Sequence, residues 1–460
     1  MNSRAYVPPK AILHIAQTLS KRGRRVYVVG GALRDHALGR RASNDIDLAT
    51  DAAPDEVKSC FPRVLPTGIK HGTVTILHGG LQVEITTLRV EEGFVDGRRP
   101  ERVAFVQDIE LDLSRRDFTM NAMALDPLTG ERFDPFGGMD DIKNGLVRSV
   151  GPALIRFGED GLRPLRAIRF ACQLGFEIEA ETLAAIGPSL GVFRKVSAER
   201  VRDEFMKILL SPDPFRGLKL LERTGLLHEI LPELESCKGF EQKGNHRFDV
   251  LEHLFWAVAT APPEIVVRLA ALLHDSGKPE SASFDEDGIP SFHGHERISA
   301  KKAQSALKRL KFPNETIVET AHLIELHMFH YTPEWTDAAV RRFIARAGKD
   351  NLEKLFALRT ADTAAIFGRP PDPEGNKELE KRIRGVIERD EALGLEDLAV
   401  GGEELARIGV PKGPLMGRIL RDLLETVMDD PSQNEPGRLL RIARALLDKA
   451  GSGNREQAGG

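Results

Sequence analysis

Cysteine is scarce. Only 3 occur in 460 residues, Cys60, Cys172 and Cys237, far apart in the chain. That excludes a disulfide framework and a cysteine-based zinc site, and it fits a reducing cytoplasm. Buried small hydrophobes are the plain alternative for all three thiols. No run of 18 apolar residues occurs, which argues against a membrane-spanning helix. The mixed polar N-terminus does not read as a secretory leader. Net charge is also small, −4 at pH 7, so an RNA-binding face has to be a local basic patch. Arg98-Arg99, Arg194-Lys195, Lys301-Lys302, Lys308-Arg309 and Arg341-Arg342 are the candidates. Each alone also fits a solvated helix face. No internal repeat is visible.

What is present is ample apolar content, 41%, in a chain long enough for several domains. Residues 8–23 predict a helix with Ile12, Ile15, Ala16 and Leu19 on one face. Short strands are predicted at Val26–Val29, Ile46–Ala49, Thr73–Leu77, Gln82–Thr87 and Arg102–Val106. Gly93–Pro100 reads as a polar, glycine-rich loop. From about 152 onward the pattern is helical almost throughout. Weak punctuation falls at Leu231-Pro232 and Gly239, and again at Gly368–Pro373. Residues 450–460 read as a disordered tail.

Two early stretches carry the chemistry. The apolar run Val26–Val29 leads into Gly30-Gly31, whose backbone can approach a phosphate closely. Asn44-Asp45-Ile46-Asp47-Leu48 places two carboxylates at i and i+2, on one face of a strand. Asp45 and Asp47 can therefore share divalent cations, and Glu84 can add a third carboxylate. A phosphate turn beside paired carboxylates suits nucleotidyl transfer assisted by two metal ions. Either piece alone also occurs by chance. Further along, Ser114–Ala122 (Ser-Arg-Arg-Asp-Phe-Thr-Met-Asn-Ala) sets two cations ahead of a helix. Gly158–Phe170 then spaces Arg163, Arg166 and Arg169 every third residue, beside the apolar stripe Leu162, Leu165, Ile168 and Ala171. Pro164 has to sit in the first helical turn or kink the helix.

In this order the motifs resemble the tRNA nucleotidyltransferase and poly(A) polymerase family, in its bacterial branch. The resemblance runs motif by motif over residues 25–210 and more loosely to about 445. It implies an α+β N-terminal nucleotidyltransferase head with a small mixed sheet, followed by an all-α neck, body and tail. The corresponding boundaries are 1–150 for the head, 151–235 for a neck that binds base and RNA, 236–370 for the body and 371–449 for a tRNA-binding tail. The resemblance also makes the 93–100 loop a mobile one near the active site; a surface connection explains its composition equally well. The family usually has proline where this chain has Gly161, which leaves the start of the arginine helix open.

A second constellation lies downstream. Eight of the 13 histidines fall between 246 and 330. His274-Asp275 follows the apolar run Leu269–Leu273, and Asp362 comes later on another helical stretch. Imidazole with carboxylate suits a divalent transition metal. The pattern resembles the HD phosphohydrolase superfamily. That resemblance makes His253, His274, Asp275 and Asp362 metal ligands, with His295 and His327 available for a second ion. Mn²⁺, Ni²⁺ or Co²⁺ is the expected metal. Satisfied core or surface residues remain the alternative for His246, His293, His322 and His330.

An untemplated enzyme has to read bases with protein groups. Cytosine and adenine both offer an amino donor beside a ring-nitrogen acceptor; uracil and guanine reverse that order. Asp160 accepts and Arg163 donates, so the pair fits C and A. At i and i+3 of a helix they are also placed for an ordinary salt bridge. Gly31, Arg34, Arg116, Arg166 and Arg169 are then left for the triphosphate, the last three also for holding Asp160. The expected function is CCA addition to the 3′ end of tRNA from CTP and ATP, with Mg²⁺ on Asp45 and Asp47, in the cytoplasm and without a membrane partner. A poly(A) polymerase is the nearest rival; the stretch Gly68–Thr75 looks like the tRNA enzymes. An enzyme adding only CC or only A, and a metal phosphohydrolase whose head merely binds RNA, are the others.

Overall fold

Strand β1 (Val26–Val29) is buried along its whole length. Its alternation explains why: Val26 and Val28 point to one face of a sheet, and Tyr27 and Val29 to the other, and both faces are covered. A computed structural model of the chain describes residues 6–40, 46–69, 72–95, 99–242, 247–370, 376–389 and 392–456. Within it the remaining strands of the head are β2 (Asp47–Thr50), β3 (Val64–Gly68), β4 (Thr73–His78), β5 (Leu81–Thr87), β6 (Arg89–Val95), β7 (Arg99–Phe105), β8 (Ala124–Leu125) and β9 (Arg132–Phe133). The sheet order is β3-β4-β5-β2-β1-β8-β9. The β2–β5 pair is parallel and its neighbours are antiparallel, so the sheet is mixed as expected.

Helices α1 (Lys10–Ser20), α2 (Gly31–Ala37) and α3 (Pro54–Cys60) belong to the head. The stripe Ile12, Ile15, Ala16 and Leu19 of α1 packs with Val57 of α3 on Val28, Leu48, Ile76 and Ile85. Helix α4 (Ile109–Ser114) covers the other face through Ile109 and Leu113, against Tyr27, Val29 and Ala49. Each fully buried aliphatic side chain contributes roughly 1.5–3 kcal/mol.

Two expectations need correction. Gly93–Val95 and Arg99-Pro100 belong to the antiparallel hairpin β6–β7 rather than to a loop, with 96–98 outside the described residues. Ladder hydrogen bonds override the loop-like composition there. The last helix runs Pro436–Glu456, so the segment from 450 begins helical. A helix already formed extends at low cost, one bond per added residue; residues 457–460 are outside the description.

By contacts the chain divides into Met1–Glu235 with Ala306–Phe312, and Ser236–Ser305 with Pro313–Gly460. In the first unit, α5 (Gly138–Asn144), α6 (Ala153–Glu159) and α7 (Arg163–Leu174) follow the sheet. Pro164 stands in the first turn of α7, where its missing N–H costs nothing. Leu162, Leu165, Ile168 and Ala171 are buried, as the periodicity requires. The second unit is helical apart from a two-strand ribbon, among the described residues. Its helix Ile265–Leu273 is apolar except for Arg268, which bonds the Ala261 carbonyl, and is buried throughout from Val266. Cys172 and Cys237 are buried, which pushes both thiols up to about 12; they pack as small hydrophobes.

Candidate active site and a second, metal-ligating cluster

The head site begins where β1 turns into α2. Gly30 holds φ 73°, a left-handed conformation that favours glycine. A Cβ on Gly30 would lie 3.1 Å from Arg116 Nη1 and 4.0 Å from Asp47 Oδ2. Turn, guanidinium and carboxylate therefore converge. Asp47 opposes Val29 across the antiparallel pair and is in register with Glu84 across the parallel one. In-register side chains share a face, and both carboxylates are exposed. The face is the one opposite α1 and α3. Asp45 lies outside the described residues, as do His246 and Arg98.

The arginines expected to serve the triphosphate gather around one ring. Arg169, Arg34 and Arg166 stand 4.0, 5.0 and 5.5 Å from the Phe170 centroid. Three cations stay close because two buried carboxylates lie among them. Asp117 Oδ2 accepts from Arg166 Nε and Nη2 at 2.9 and 2.5 Å. Its Oδ1 accepts from the Phe118 amide and from Asn121 Nδ2. Asn121 Oδ1 in turn accepts from Arg34 Nη1 at 2.7 Å. Glu204, on the helix Ala198–Leu209, pairs with Arg169 at 3.0 Å. Burial would raise the Asp117 carboxyl, but Arg166, then Asn121, hold it well below the usual carboxylate range. Arg116 Nη2 stands 3.4 Å from buried Asp112. Each of these arginines thus has an acidic partner, Arg34 with Asp35 at 2.9 Å among them, because burial without a counter-charge is prohibitive.

The pair Asp160–Arg163 differs from expectation. Asp160 is not helical; it follows α6 with extended backbone, φ −137° and ψ 108°. Its Oδ1 accepts from the Leu162 amide and its Oδ2 from Arg200 Nη2 at 2.7 Å. Arg163 opens α7, and its guanidinium donates to Glu159 and to the carbonyls of Arg156 and Arg115. The two side chains do not meet in an i, i+3 pair because the chain turns sharply at Gly161. A Cβ there would fall 2.6 Å from Val192 O, so the tight approach needs glycine.

Sequence reasoning assigns no role to Asp117 or Asn121, although both lie inside a quoted motif. It misses Arg200 and Glu204, which carry no local signal. Of the candidate basic pairs, Arg194, Lys302, Arg309 and Arg342 are ion-paired and Arg341 is buried against the Met428 carbonyl.

The second cluster lies wholly in the helical unit. His253 sits mid-helix in Val250–Thr260, His274-Asp275 follow the buried apolar helix, and Asp362 belongs to Leu352–Phe367. His253 Nε2 is 3.2 Å from Asp362 Oδ1 and 3.4 Å from Asp275 Oδ2. His274 Nε2 is 3.4 and 3.3 Å from the same two atoms, and the two Nε2 atoms are 3.4 Å apart. Corners of a tetrahedron about 2.1 Å from a central ion are separated by about 3.4 Å, so this donor set fits a divalent ion. The other oxygen of Asp275 faces His295 at 3.1 Å and His327 at 3.7 Å. Both groups of potential ligands are buried.

Three imidazoles are aimed by the backbone. The Nδ1 atoms of His274, His295 and His327 lie 2.9, 2.7 and 2.7 Å from the carbonyls of Ala271, Phe292 and Ile324. A proton on Nδ1 donated there leaves Nε2 as the lone pair pointing inward. Burial opposes charge on Asp275 and Asp362, yet the imidazoles around them, with Lys278 beside Asp275, hold both carboxyls well below the usual range. Among the described residues, no other group of three or more potential ligands converges.

Three family profiles match the chain: a poly(A) polymerase head domain over 26–148, an RNA-binding segment of polymerase A over 175–238, and a tRNA nucleotidyltransferase domain 2 over 292–443. The chain is 36% identical over 437 residues to a CCA-adding enzyme of Geobacillus thermodenitrificans, covering 94% of this chain and 96% of the relative. It is 34% identical over 427 residues to the CCA-adding enzyme of Lactobacillus johnsonii, covering 92% and 94%. Its fold matches the Bacillus stearothermophilus CCA-adding enzyme solved in complex with CTP at TM-score 0.72 and 31% identity, over 97% and 98% of the two chains. The Thermotoga maritima CCA-adding enzyme complexed with tRNA shares the fold at TM-score 0.59 and 22% identity, over 96% of each chain. A nucleotidyltransferase head whose carboxylates meet across β2 and β5, carried in a chain matched nearly end to end, leads to one assignment: this protein belongs to the CCA-adding enzyme family of nucleotidyltransferases.

Proposed function

We propose that this chain adds C, C and A to the 3′ end of tRNA, using CTP and ATP and releasing pyrophosphate, in the cytoplasm. The near full-length identity to CCA-adding enzymes carries the reading. The register of Asp47 with Glu84 beside the Gly30 turn supports it from the structure. In this reading Asp45, Asp47 and Glu84 hold Mg²⁺. When bound, the metal polarises the terminal ribose hydroxyl and neutralises the leaving pyrophosphate. The chain's own residues do the rest. The Gly30-Gly31 turn lets the backbone come close to the triphosphate, and Arg34, Arg116, Arg166 and Arg169 surround its charge. The 3′ oxygen attacks the α-phosphorus, the bond to the β-phosphate oxygen breaks, and pyrophosphate leaves. The test uses purified protein, tRNA lacking one, two or three terminal nucleotides, and each labelled NTP alone or paired. Ordered addition of C, C, then A is expected. Untemplated runs of A would mark a poly(A) polymerase, and a halt after CC a partial enzyme.

Asp160 and Arg163 are the base-reading residues in this proposal, with Arg200 positioning Asp160 through its 2.7 Å contact. Arg163 has to exchange at least one of its present partners for the base. D160A and R163A should relax discrimination against UTP and GTP, since each base hydrogen bond is worth roughly 1–3 kcal/mol. Incorporation of all four NTPs by each variant checks this. Equal losses for every nucleotide with preference intact would make both residues structural.

The histidine cluster supports a second activity, a metal-dependent phosphohydrolase acting on nucleotide phosphates or phosphorylated RNA ends. Four convergent buried imidazoles with two carboxylates favour that over a satisfied core. Imidazole ligands prefer Mn²⁺, Ni²⁺ or Co²⁺ to Mg²⁺. The double variant H274A/D275A should lose bound transition metal and hydrolysis while keeping CCA addition. Hydrolysis of nothing by the wild type under any of these metals would leave the cluster as a structural remnant of the helical body.

A further inference from the structure

A cleft of about 220 Å³ opens next to the histidine cluster. One wall is the segment Phe329, His330 and Tyr331, which begins two residues after the ligand His327. The opposite wall is the helix that carries the ligand Asp362, through Arg359, Thr360 and Thr363. Arg359 joins the two places. Its Nη1 donates to Asp362 Oδ2 at 2.9 Å, while Asp362 Oδ1 faces the imidazoles of His253 and His274. Asp362 is also the most accessible of the clustered ligands, 7% exposed against 3% or less for the others. The cleft thus meets the cluster through Arg359, which lines the one and bonds the other.

The lining has a chemical character. Arg359 is its one fixed charge, and no carboxylate lines the cleft among the described residues. Guanidinium presents five N–H donors in a fork that suits phosphate. Phe329 packs on Phe343 and Phe356, and the next two rings, His330 and Tyr331, offer π faces on which nucleobases stack. The Thr360 hydroxyl accepts from Asn376 Nδ2, also on the lining, and the Thr363 hydroxyl donates to the Arg359 carbonyl, which leaves each oxygen an accepting position for a ribose or base donor. The volume lies below the roughly 300–1,000 Å³ of drug-sized sites, enough for one nucleoside and not for a folded RNA.

We propose that this cleft binds a single nucleoside phosphate, its phosphate against Arg359 and its base against His330 and Tyr331, and delivers the phosphate to the Asp362 edge of the cluster. The proposal rests on the hydrolase reading above for the delivery step, but not for binding. The nucleotide can be free or the last residue of an RNA, since the chemistry recognised is the same.

Calorimetry on the full-length protein tests it, with adenosine 3′-monophosphate, a short RNA ending in a 3′-phosphate, and inorganic phosphate as probes. R359Q should weaken both nucleotide probes about tenfold or more. H330A, at an exposed position, should weaken them about five- to tenfold while leaving inorganic phosphate unchanged. Bound metal, measured by elemental analysis, should equal wild type in H330A. Because both substitutions lie outside the head, any nucleotide held by the transferase site cancels in the comparison. A loss for either nucleotide probe in both variants supports the cleft and identifies the source. Unchanged binding of both probes in both variants overturns it. If the variants lose binding but wild type hydrolyses no phosphate ester with any metal, the cleft stands and the hydrolase reading falls.

Discussion

Asp47→Ala should lower nucleotide addition by on the order of a thousandfold or more while tRNA binding survives. Asp47 is exposed at the head of β2, so its removal should change folding stability by no more than about 0.5 kcal/mol. Its carboxylate is the described one that stands in register with Glu84 and within reach of the Gly30 turn. Losing a metal ligand removes stabilisation made mainly in the transition state, several kcal/mol, and each ~1.4 kcal/mol is tenfold in rate. Asp45→Ala should behave the same way, as the second carboxylate of the Asp-x-Asp pair. The measurement is single-turnover addition of C to tRNA lacking its end, with a gel-shift assay for tRNA affinity. Addition near the wild-type rate by Asp47→Ala would remove the metal role from β2.

The second large effect concerns stability. Asp117→Ala should cost about 3 kcal/mol and lower Tm by about 6–12 °C in thermal unfolding. Asp117 is buried and takes two hydrogen bonds from Arg166, one from Asn121 and one from its neighbour's amide. Removing it leaves Arg166 facing Arg169 with Glu204 as the ion-pair partner of both and Asp160 farther off. Breaking one partner of a buried pair typically costs about 3–5 kcal/mol; the low end applies because the Arg166 side chain is 30% exposed. Asp117→Asn keeps the shape and loses the charge, so it should fall between. A loss under 1 kcal/mol for Asp117→Ala would mean that the contact behaves as a surface ion pair.

Strand β1, the helix stripe of α1 and the apolar stripe of α7 were legible because burial follows period 2 or period 3.6 within a few residues. The Asp47–Glu84 pairing was legible as chemistry, though the sequence could not say that β2 and β5 run parallel and in register. The placement of Asp160 and Arg163 on one helix differs from the structure for a specific reason. Spacing alone treats the stretch as one helix, and the break at Gly161 depends on Val192, 31 positions away. Glu204 and Arg200 were invisible for the same cause: a counter-charge supplied from a distant helix leaves no local pattern. The sequence reads Gly93–Pro100, at the turn end of the β6–β7 hairpin, as a loop because glycine and arginine content resembles a turn, whereas cross-strand pairing is a tertiary property; the strand expected at Arg102–Val106 coincides with most of β7. The histidine cluster was readable because its His-Asp dipeptide ends a run too apolar to be anywhere but inside.

The carbonyls that orient His274, His295 and His327 all belong to the residue three places earlier in each chain segment. Such wiring is local, set by each segment's own backbone. The cluster is therefore preorganised, unlike a small zinc domain whose fold waits for its metal. Little conformational entropy is left to lose on loading, and little structure is lost on release. If the cluster holds a transition metal as proposed, a chelator selective for that metal over Mg²⁺ should remove the hydrolysis reversibly and leave the fold as it was.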